Sequence, residues 1–463
     1  MANPIIVDPS TAWDVLANAT GGETILMKPG DYPSFLLNHD YAHKRPTPTK
    51  TWEVPVVLAS EDPVKPARIR SLETRGVSNL ALRDVVGRAT PDVLGKTPVV
   101  IFQIGGGQNV ALENVDAGGM GATYGTAIKG FQFRNHKGGR VSNVDCHDLR
   151  IGGFLVDCED VKVAGGAYYH LGQDGLDVQR LFGGEIAGLY MHDFENIDPA
   201  LHPDGIQFWT SNSTEPSRDV HIHDIIVLQG AGSAMQGIFM GDERGLGYDR
   251  FLVENNLIYA AFPNAISADR HRGSKFRHNT CLRPKYEAQG IKESWTAYLR
   301  VQNCTDTELA SNVAENFVNT GNLNLSLASN LFGRTGNVID PAFAAMLPRA
   351  AARTAQSIAD LLLPSVGSQI SVATAKIILA SPPRTLDISA PGNTAPPPVP
   401  APADPCMAVK AALATSETKV AALTAQLADE EAARLAAEAE RDGLKAETER
   451  LSAVVADVRK AVQ

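Results

Sequence analysis

The chain has 463 residues, with 42 Lys plus Arg against 52 Asp plus Glu, a formal charge of −10 at pH 7. That length exceeds one ordinary core, and the acidic balance, with no basic stripe, excludes a general nucleic-acid binder. No apolar run reaches the roughly 18 residues of a membrane span, and 44% hydrophobic residues is too many for a disordered chain.

From the N-terminus, MANPIIVDPS lacks the basic start and apolar stretch of an export signal, so synthesis without a leader is the expectation. Ser10 to Asn18 reads as a short amphipathic helix with Trp13 and Leu16 on one side, and Thr24 to Met27 as a strand before a turn at Pro29–Tyr32. Such a segment suits the open end of a stacked β-structure, whose first strands are otherwise a free edge.

The first 340 residues repeat. Gly-apolar-x-apolar occurs at Gly130–Phe133, Gly153–Val156, Gly175–Val178, Gly205–Phe208 and Gly237–Met240, with looser copies at Ile101, Ala265 and Ala297. A second pattern interleaves with it: Leu80–Val85, Val110–Val115 and Val220–Ile225 alternate apolar residues and close on Asp or Asn. Each repeat therefore holds at least two short strands of period 2. Gly, Asn and Asp stand at the corners, where left-handed backbone is needed. Strands this short bury a core only by stacking in parallel. The expectation is an all-β right-handed parallel β-helix over 69–340, about ten coils, with 1–68 as N-terminal cap and first coils. A β-propeller needs some 40–45 residues per blade, more than these repeats supply.

Beyond the β-helix, residues 341–390 read as a helical C-terminal cap. All 29 aromatic residues (4 Trp, 10 Tyr, 15 Phe) lie at or before Phe343. Residues 391–405 form a Pro-rich linker. Residues 406–463 carry two apolar seams at heptad spacing, one through Leu413, Val420, Leu427 and Val455, the other through Val409, Leu423, Leu444 and Val458. A coiled-coil rod of roughly 85 Å is expected; its alanines and mixed seam residues leave the strand number open, its polar middle weakens the seam, and a single solvated helix is the alternative. The five cysteines are scattered, so they read as small buried residues rather than a disulfide framework or metal set.

Stacking turns residues distant in sequence into neighbours. Aligned on the glycine, one column holds Gln103, Gln132, Leu155, Asp177, Gln207, Phe239, Ser267 and Arg300, and the position before the glycine holds Lys129, Gly152, Asp174, Asp204, Gln236 and Asn264. Asp174, Asp177 and Asp204 then adjoin. Carboxylates so close repel, so one keeps its proton, and an acid beside an ionised carboxylate is what glycoside hydrolysis needs. These three are the candidate catalytic residues, with His202, Gln207, Trp209 and Arg270 as candidate substrate contacts. Trp209 with Tyr168, Tyr169 and Tyr190 could form a sugar-stacking surface. A corner aspartate also commonly caps its own turn. The carboxylates could instead hold Ca²⁺, with Arg270, His271, Arg272 or Lys275 serving a lyase. His221 and His223 read as surface residues, with no zinc spacing.

Pro29-Gly30-Asp31-Tyr32 resembles the entry phrase of the pectate-lyase-like β-helix superfamily, and Gly336–Phe343 resembles its exit phrase; the likeness spans about residues 10–345. Gly172–Val178 looks like the Asn-Thr-Asp-Gly-Ile-Asp phrase of polygalacturonase-type hydrolases, which implies a catalytic role for Asp174. His202–Phe208 is similar to their Asp-Asp phrase, with Asp204 matching the second aspartate and Pro203 replacing the first. Met235-Gln236-Gly237 stands in place of their Gly-His-Gly, and no Arg-Ile-Lys follows.

A β-helix with an oligomerising coiled coil resembles bacteriophage tailspikes and tail-fibre receptor-binding proteins. That resemblance implies a homotrimer in a virion, contacts with other tail proteins, and a host surface polysaccharide that is bound, and depolymerised where the carboxylates are catalytic. Neither a nucleic-acid partner nor membrane insertion is expected. A purely structural virion fibre and a non-viral polysaccharide hydrolase or lyase are the alternatives.

Overall fold

The structure is a computed structural model. It describes residues 3–335 except 38, 41–44, 47–49, 92–96, 120–127, 197–201, 231 and 284–295, and then 338–339, 367–370 and 374. The linker at 391–405, the heptads at 406–463 and nearly all of the expected C-terminal cap lie outside the described residues. Within them, no helix is long and apolar enough to cross a membrane.

The described chain winds as a right-handed parallel β-helix. Its strands pair in parallel from coil to coil, and parallel crossovers take the right-handed sense. One ladder has eleven strands, from Phe35–Leu37 through Leu176–Phe182, Asp204–Phe208 and Gln236–Met240 to Asn316–Thr320. Most of the remaining coil strands join one 23-stranded sheet, while Tyr248–Asp249 and His271–Arg272 pair in parallel by themselves. The larger sheet comprises two ladders linked through the long strands Gln108–Gly118 and Arg140–His147, which pair with both. Ten of the first ladder's eleven strands lie within 69–340, as the expectation of about ten coils has it.

The alternation seen in the sequence decides what is inside. Phe102, Phe131, Leu176, Ile206, Ile238, Ile266 and Leu299 stack as one fully buried inner column. The position after each faces outward. At the N-terminal end the helix Ala12–Asn18 buries Ala12 and Leu16 completely, and the Trp13 ring lies 6.4 Å from Phe35 on the edge strand of the eleven-stranded ladder. Residues 367–370 lie along the flank of the later coils, where the Ser368 N–H donates to Thr280 Oγ1 at 2.8 Å and Ile370 is buried.

Corners are closed as the composition implies. Asn and Asp adopt left-handed φ at Asp84, Asn114 and Asn143, and their side chains link coil to coil: Asn114 donates to Asp84 at 3.1 Å and Asn143 to Asn114 at 3.2 Å. Elsewhere a fully buried amide ladder runs along the column. Asn256 donates Nδ2–H to Asn279 Oδ1, and Asn279 to Asn312 Oδ1, each at 2.9 Å, while each Oδ1 accepts the backbone N–H of the preceding coil.

One register differs from the sequence alignment. Gln132 pairs with Phe154, and Phe154 with Asp177, so Phe154 rather than Leu155 stands in the outward column. Likewise Ile151, not Gly152, pairs with Lys129. The cause is the Gly152–Gly153 pair. Gly152 takes the corner place of Gly130 and Gly175: a Cβ on Gly152 would meet the Gly175 carbonyl at 2.5 Å. Gly153 stands in the inner column, where the Phe131 ring fills the space of its missing side chain.

Candidate functional site

The glycine corners place the candidate acids. Asp174 precedes Gly175, and the Gly175 N–H donates to the Asp204 carbonyl at 2.9 Å, which sets Asp204 one coil beyond Asp174. Asp177 lies three residues on, within the strand Leu176–Phe182, beside Gln207 in register. Asp204 is in turn beside Gln236. The Asp204 backbone N–H donates to Asp174 Oδ1 at 2.8 Å, and Asp177 shares a hydrogen bond with Asp174. Asp174 and Asp204 are 1% exposed, Asp177 3% and Gln236 0%.

What remains on these side chains is unspent hydrogen-bonding capacity. Asp174 Oδ2, Asp177 Oδ1, both carboxyl oxygens of Asp204 and both amide atoms of Gln236 have no partner among the described residues. Buried polar groups are nearly always satisfied, so these carboxyls either bond one another through retained protons, as Asp174 and Asp177 do, or take a polar atom from elsewhere. His202 flanks it: its Nδ1 lies 3.7 Å from Asp204 Oδ1, and its ring is 5.1 Å from Phe262.

Burial dominates the electrostatics. It pushes Asp174 up to about 7, against the Asp204 N–H, the Gln173 and Asp177 hydrogen bonds and the nearby Arg150 charge, which all favour the carboxylate. Burial also raises Asp177 well above the carboxylate range, with the Asp174 charge adding to it and Lys129 opposing. Asp204 is raised by burial and then by Asp174 and Asp177. Asp174 is thus the member best supported as an anion, and its neighbours are held as neutral acids. The sequence argument rested on mutual repulsion; in the structure desolvation is the larger cause.

The other candidates separate. Gln207 is half-buried beside Asp177. Trp209 follows Asp204–Phe208 and sets its ring 5.3 Å from Phe154, edge to face. Arg270 lies past the end of the strand Asn264–Asp269, paired with Asp242 and Asp269 at 3.3 Å each. Asp242 also accepts from Thr210, next to Trp209, at 2.8 Å. Arg270 therefore marks the opposite end of these strands from Asp204, two coils on and roughly 20 Å along the strand direction at 3.3 Å per residue.

The stacking surface expected from Trp209, Tyr168, Tyr169 and Tyr190 does not assemble. Tyr168 is fully buried in the core, and the other two tyrosines belong to the 23-stranded sheet, not to the Trp209 ladder. There Tyr169 is sandwiched between His147 and His192 at 5.1 and 5.3 Å, and Tyr190 stacks on His192 at 4.3 Å. Their faces are spent on one another. His271 is fully buried against Tyr248, Phe251 and Phe276, and burial drives its pKa down to about 3, while Arg272 pairs with Asp249 at 2.5 Å. The basic run 270–275 thus forms no common cluster at the carboxyls. His221 and His223 stack 4.0 Å apart on the 23-stranded sheet and pair with Glu254 and Glu185. The four described cysteines are buried and free.

Among the described residues no group of three or more His, Cys, Asp or Glu is placed to hold a metal ion. The aspartate cluster is not such a group, and the Asp204 backbone N–H already takes one Asp174 oxygen.

No protein-family model matches the sequence, and no curated protein matches it. Solved structures do resemble it. The Azotobacter vinelandii mannuronan C-5 epimerase AlgE4 A-module is 12% identical, over 73% of this chain and 97% of that one, with a TM-score of 0.41. The Dettilon tailspike protein is 12% identical, over 71% and 68%, with a TM-score of 0.44. The Yersinia enterocolitica family 28 exopolygalacturonase is 10% identical, over 73% and 80%, with a TM-score of 0.39.

Sequence reasoning underweighted three residues. Gln236 and Lys129 stood in the aligned column, but only burial reveals the empty amide of the first and the position of the second beside Asp177. Phe154 was hidden by the one-residue register shift.

Proposed function

We propose that this chain binds a surface polysaccharide of a bacterial host along the outer face of the eleven-stranded ladder and hydrolyses it at the Asp174–Asp177–Asp204 cluster. The observation that carries the reading is the set of unpartnered, fully buried carboxyl oxygens on a face of stacked strands. Eleven strands about 4.8 Å apart make a surface of roughly 48 Å, which suits a linear polymer better than a small metabolite.

The chemistry follows from the charge order. Asp204, held neutral, is placed to protonate the leaving glycosidic oxygen. Asp174, the most readily ionised of the three, supplies the negative charge that activates water or meets the developing oxocarbenium. Asp177 tunes that charge through the hydrogen bond it shares with Asp174. Gln236 offers an amide donor and acceptor to a sugar hydroxyl or to water. His202 and Gln207 flank the cluster as substrate contacts, and Trp209 with Phe154 borders it.

In this reading the Pro-rich linker and the heptads of 406–463 gather three chains into a tailspike-type virion component that also contacts other tail proteins. The apolar seams support that organisation, because one helix cannot bury them.

The test is reducing-end release from host-surface polysaccharides by the full chain and by Asp174→Asn/Asp204→Asn. Release by the parent and none by the double variant is expected. Release that survives the double change ends the site assignment, and no release from any glycan favours a non-catalytic fibre. Solution mass of the full chain and of residues 1–390 reports the assembly: a trimer lost on truncation is expected, and a monomer in both removes the spike.

A further inference from the structure

Gln173 stands between a cation and the carboxyl cluster. The Gly172 N–H donates to the Leu149 carbonyl at 2.8 Å, and the Gly152 N–H donates to the Asp174 carbonyl at 3.0 Å. These two backbone bonds set the corner Gly172–Asp174 directly beside the corner Leu149–Gly152 of the preceding coil. Across that join Arg150 donates Nε–H to Gln173 Oε1 at 3.0 Å. Gln173 in turn bonds the Asp174 carboxyl next to it in the chain. Arg150 and Gln173 are half-buried, and Asp174 lies beneath them, buried.

The sense of the second bond follows from the first. A side-chain amide has an acceptor end, the oxygen, and a donor end, the NH2, whereas a guanidinium donates only. The atom that faces Arg150 therefore has to be Oε1, and the NH2 is left for Asp174. A donor favours a carboxylate; an acceptor in its place would favour the protonated acid. Without Arg150 the amide is free to turn over and accept a proton held by Asp174. The Arg150 charge also attracts the carboxylate through space. The other ionisable groups around the cluster act elsewhere. Lys129, two coils back, opposes the protonation of Asp177. Asp177 and Asp204 are themselves carboxyls held neutral, and His202 stands 3.7 Å from Asp204.

We infer that Arg150 is a positioning residue for the cluster: it latches Gln173 with the amide N–H toward Asp174, and so decides which of the three carboxyls carries the negative charge. This rests on the hydrolytic reading above and deepens it, because Arg150 acts through Gln173 and not on the sugar. The latch also gives the three acids their unequal roles. They share one buried place, and only Asp174 has a neighbour whose donor end is fixed on it from the preceding coil.

The experiment uses the full chain and two readouts. One is the pH–rate profile of glycan hydrolysis, whose rising limb reports the ionisation of Asp174. The other needs no glycan: the pH range over which urea unfolding of a protein departs from that of its Asp174→Asn counterpart. The stability that a raised proton affinity supplies is lost as pH rises to the folded value, so the upper end of that range marks Asp174 in the fold. Arg150→Met, which removes the donors and the charge, should move both limb and upper end upward by about one pH unit. Arg150→Lys, whose ammonium also only donates, should hold both near the parent's values. In a Gln173→Leu background Arg150→Met should move them clearly less, since the relay is already gone. No movement in Arg150→Met, the same movement with lysine as with methionine, or an equal movement in the Gln173→Leu background overturns the inference. A moving unfolding range with no glycan cut keeps the latch and sinks the enzyme; a glycan that is cut while limb and range stay still does the reverse.

Discussion

Replacing Asp174 with asparagine should make the protein more stable in a pH-dependent way. Asparagine keeps an acceptor for the Asp204 N–H, which Asp174 Oδ1 receives at 2.8 Å, and keeps the size of the side chain. It removes only the charge. Burial raises the Asp174 pKa from 3.8 to about 7. A group whose folded pKa is raised stabilises fully below its unfolded value, and that contribution is lost as pH rises through the folded one. Wild type should therefore lose stability relative to Asp174→Asn from about pH 4 to pH 7, and the gap should stay level above that. A displacement of about 3 pH units at 1.36 kcal/mol each makes the final gap about 4 kcal/mol. Urea unfolding of both proteins at pH 4.5, 6, 7.5 and 8.5 measures it. A gap that does not change with pH, or a variant less stable than wild type at pH 8, would refute the claim that this carboxyl is desolvated. Hydrolysis should be lost in the same variant, the usual exchange between stability and a strained functional site.

Three further outcomes follow from the same geometry. The pH–rate profile of hydrolysis should have its rising limb near 7, where Asp174 ionises; a limb near pH 4 would mean that a solvated carboxylate does the work. Asn279→Ala, in the middle of the buried amide ladder, leaves the Asn256 N–H and side chain without their acceptor and should cost on the order of 3 kcal/mol or more in thermal unfolding. Gly152→Ala would press a methyl against the Gly175 carbonyl and the Tyr168 ring, so a loss of about 1–3 kcal/mol is expected; a neutral result would show that the corner relaxes.

The fold was legible because the signals agree at several levels. Inner residues alternate, left-handed corners carry Asn, Asp or Gly, and the repeat length leaves room for one coil. The column Asp177–Gln207–Phe239–Ser267–Arg300 was readable for that reason and pairs in register as expected. At Gly152–Gly153 two adjacent residues match the pattern equally well, and only the Phe131 ring, which occupies the space of one of them, decides. The tyrosines show a second limit. Tyr168, Tyr169 and Tyr190 are near Trp209 in the repeat, but which ladder a strand joins depends on where the coil bends. The carboxyl cluster was legible as a juxtaposition. Its nearly complete burial, which sets the proton affinities, was not, because burial is a property of everything packed around the coil.

The strand that bears Asp177 is the sixth of eleven in its ladder. In a stack held together by nearest neighbours, opening begins at the exposed first and last turns and travels inward. Amide hydrogens near Asp177 and Asp204 should therefore be among the slowest in the molecule to exchange with deuterium, and fraying at either end would reach the acid groups only after several turns had come undone. The aspartate cluster thus sits where the stack is last to melt.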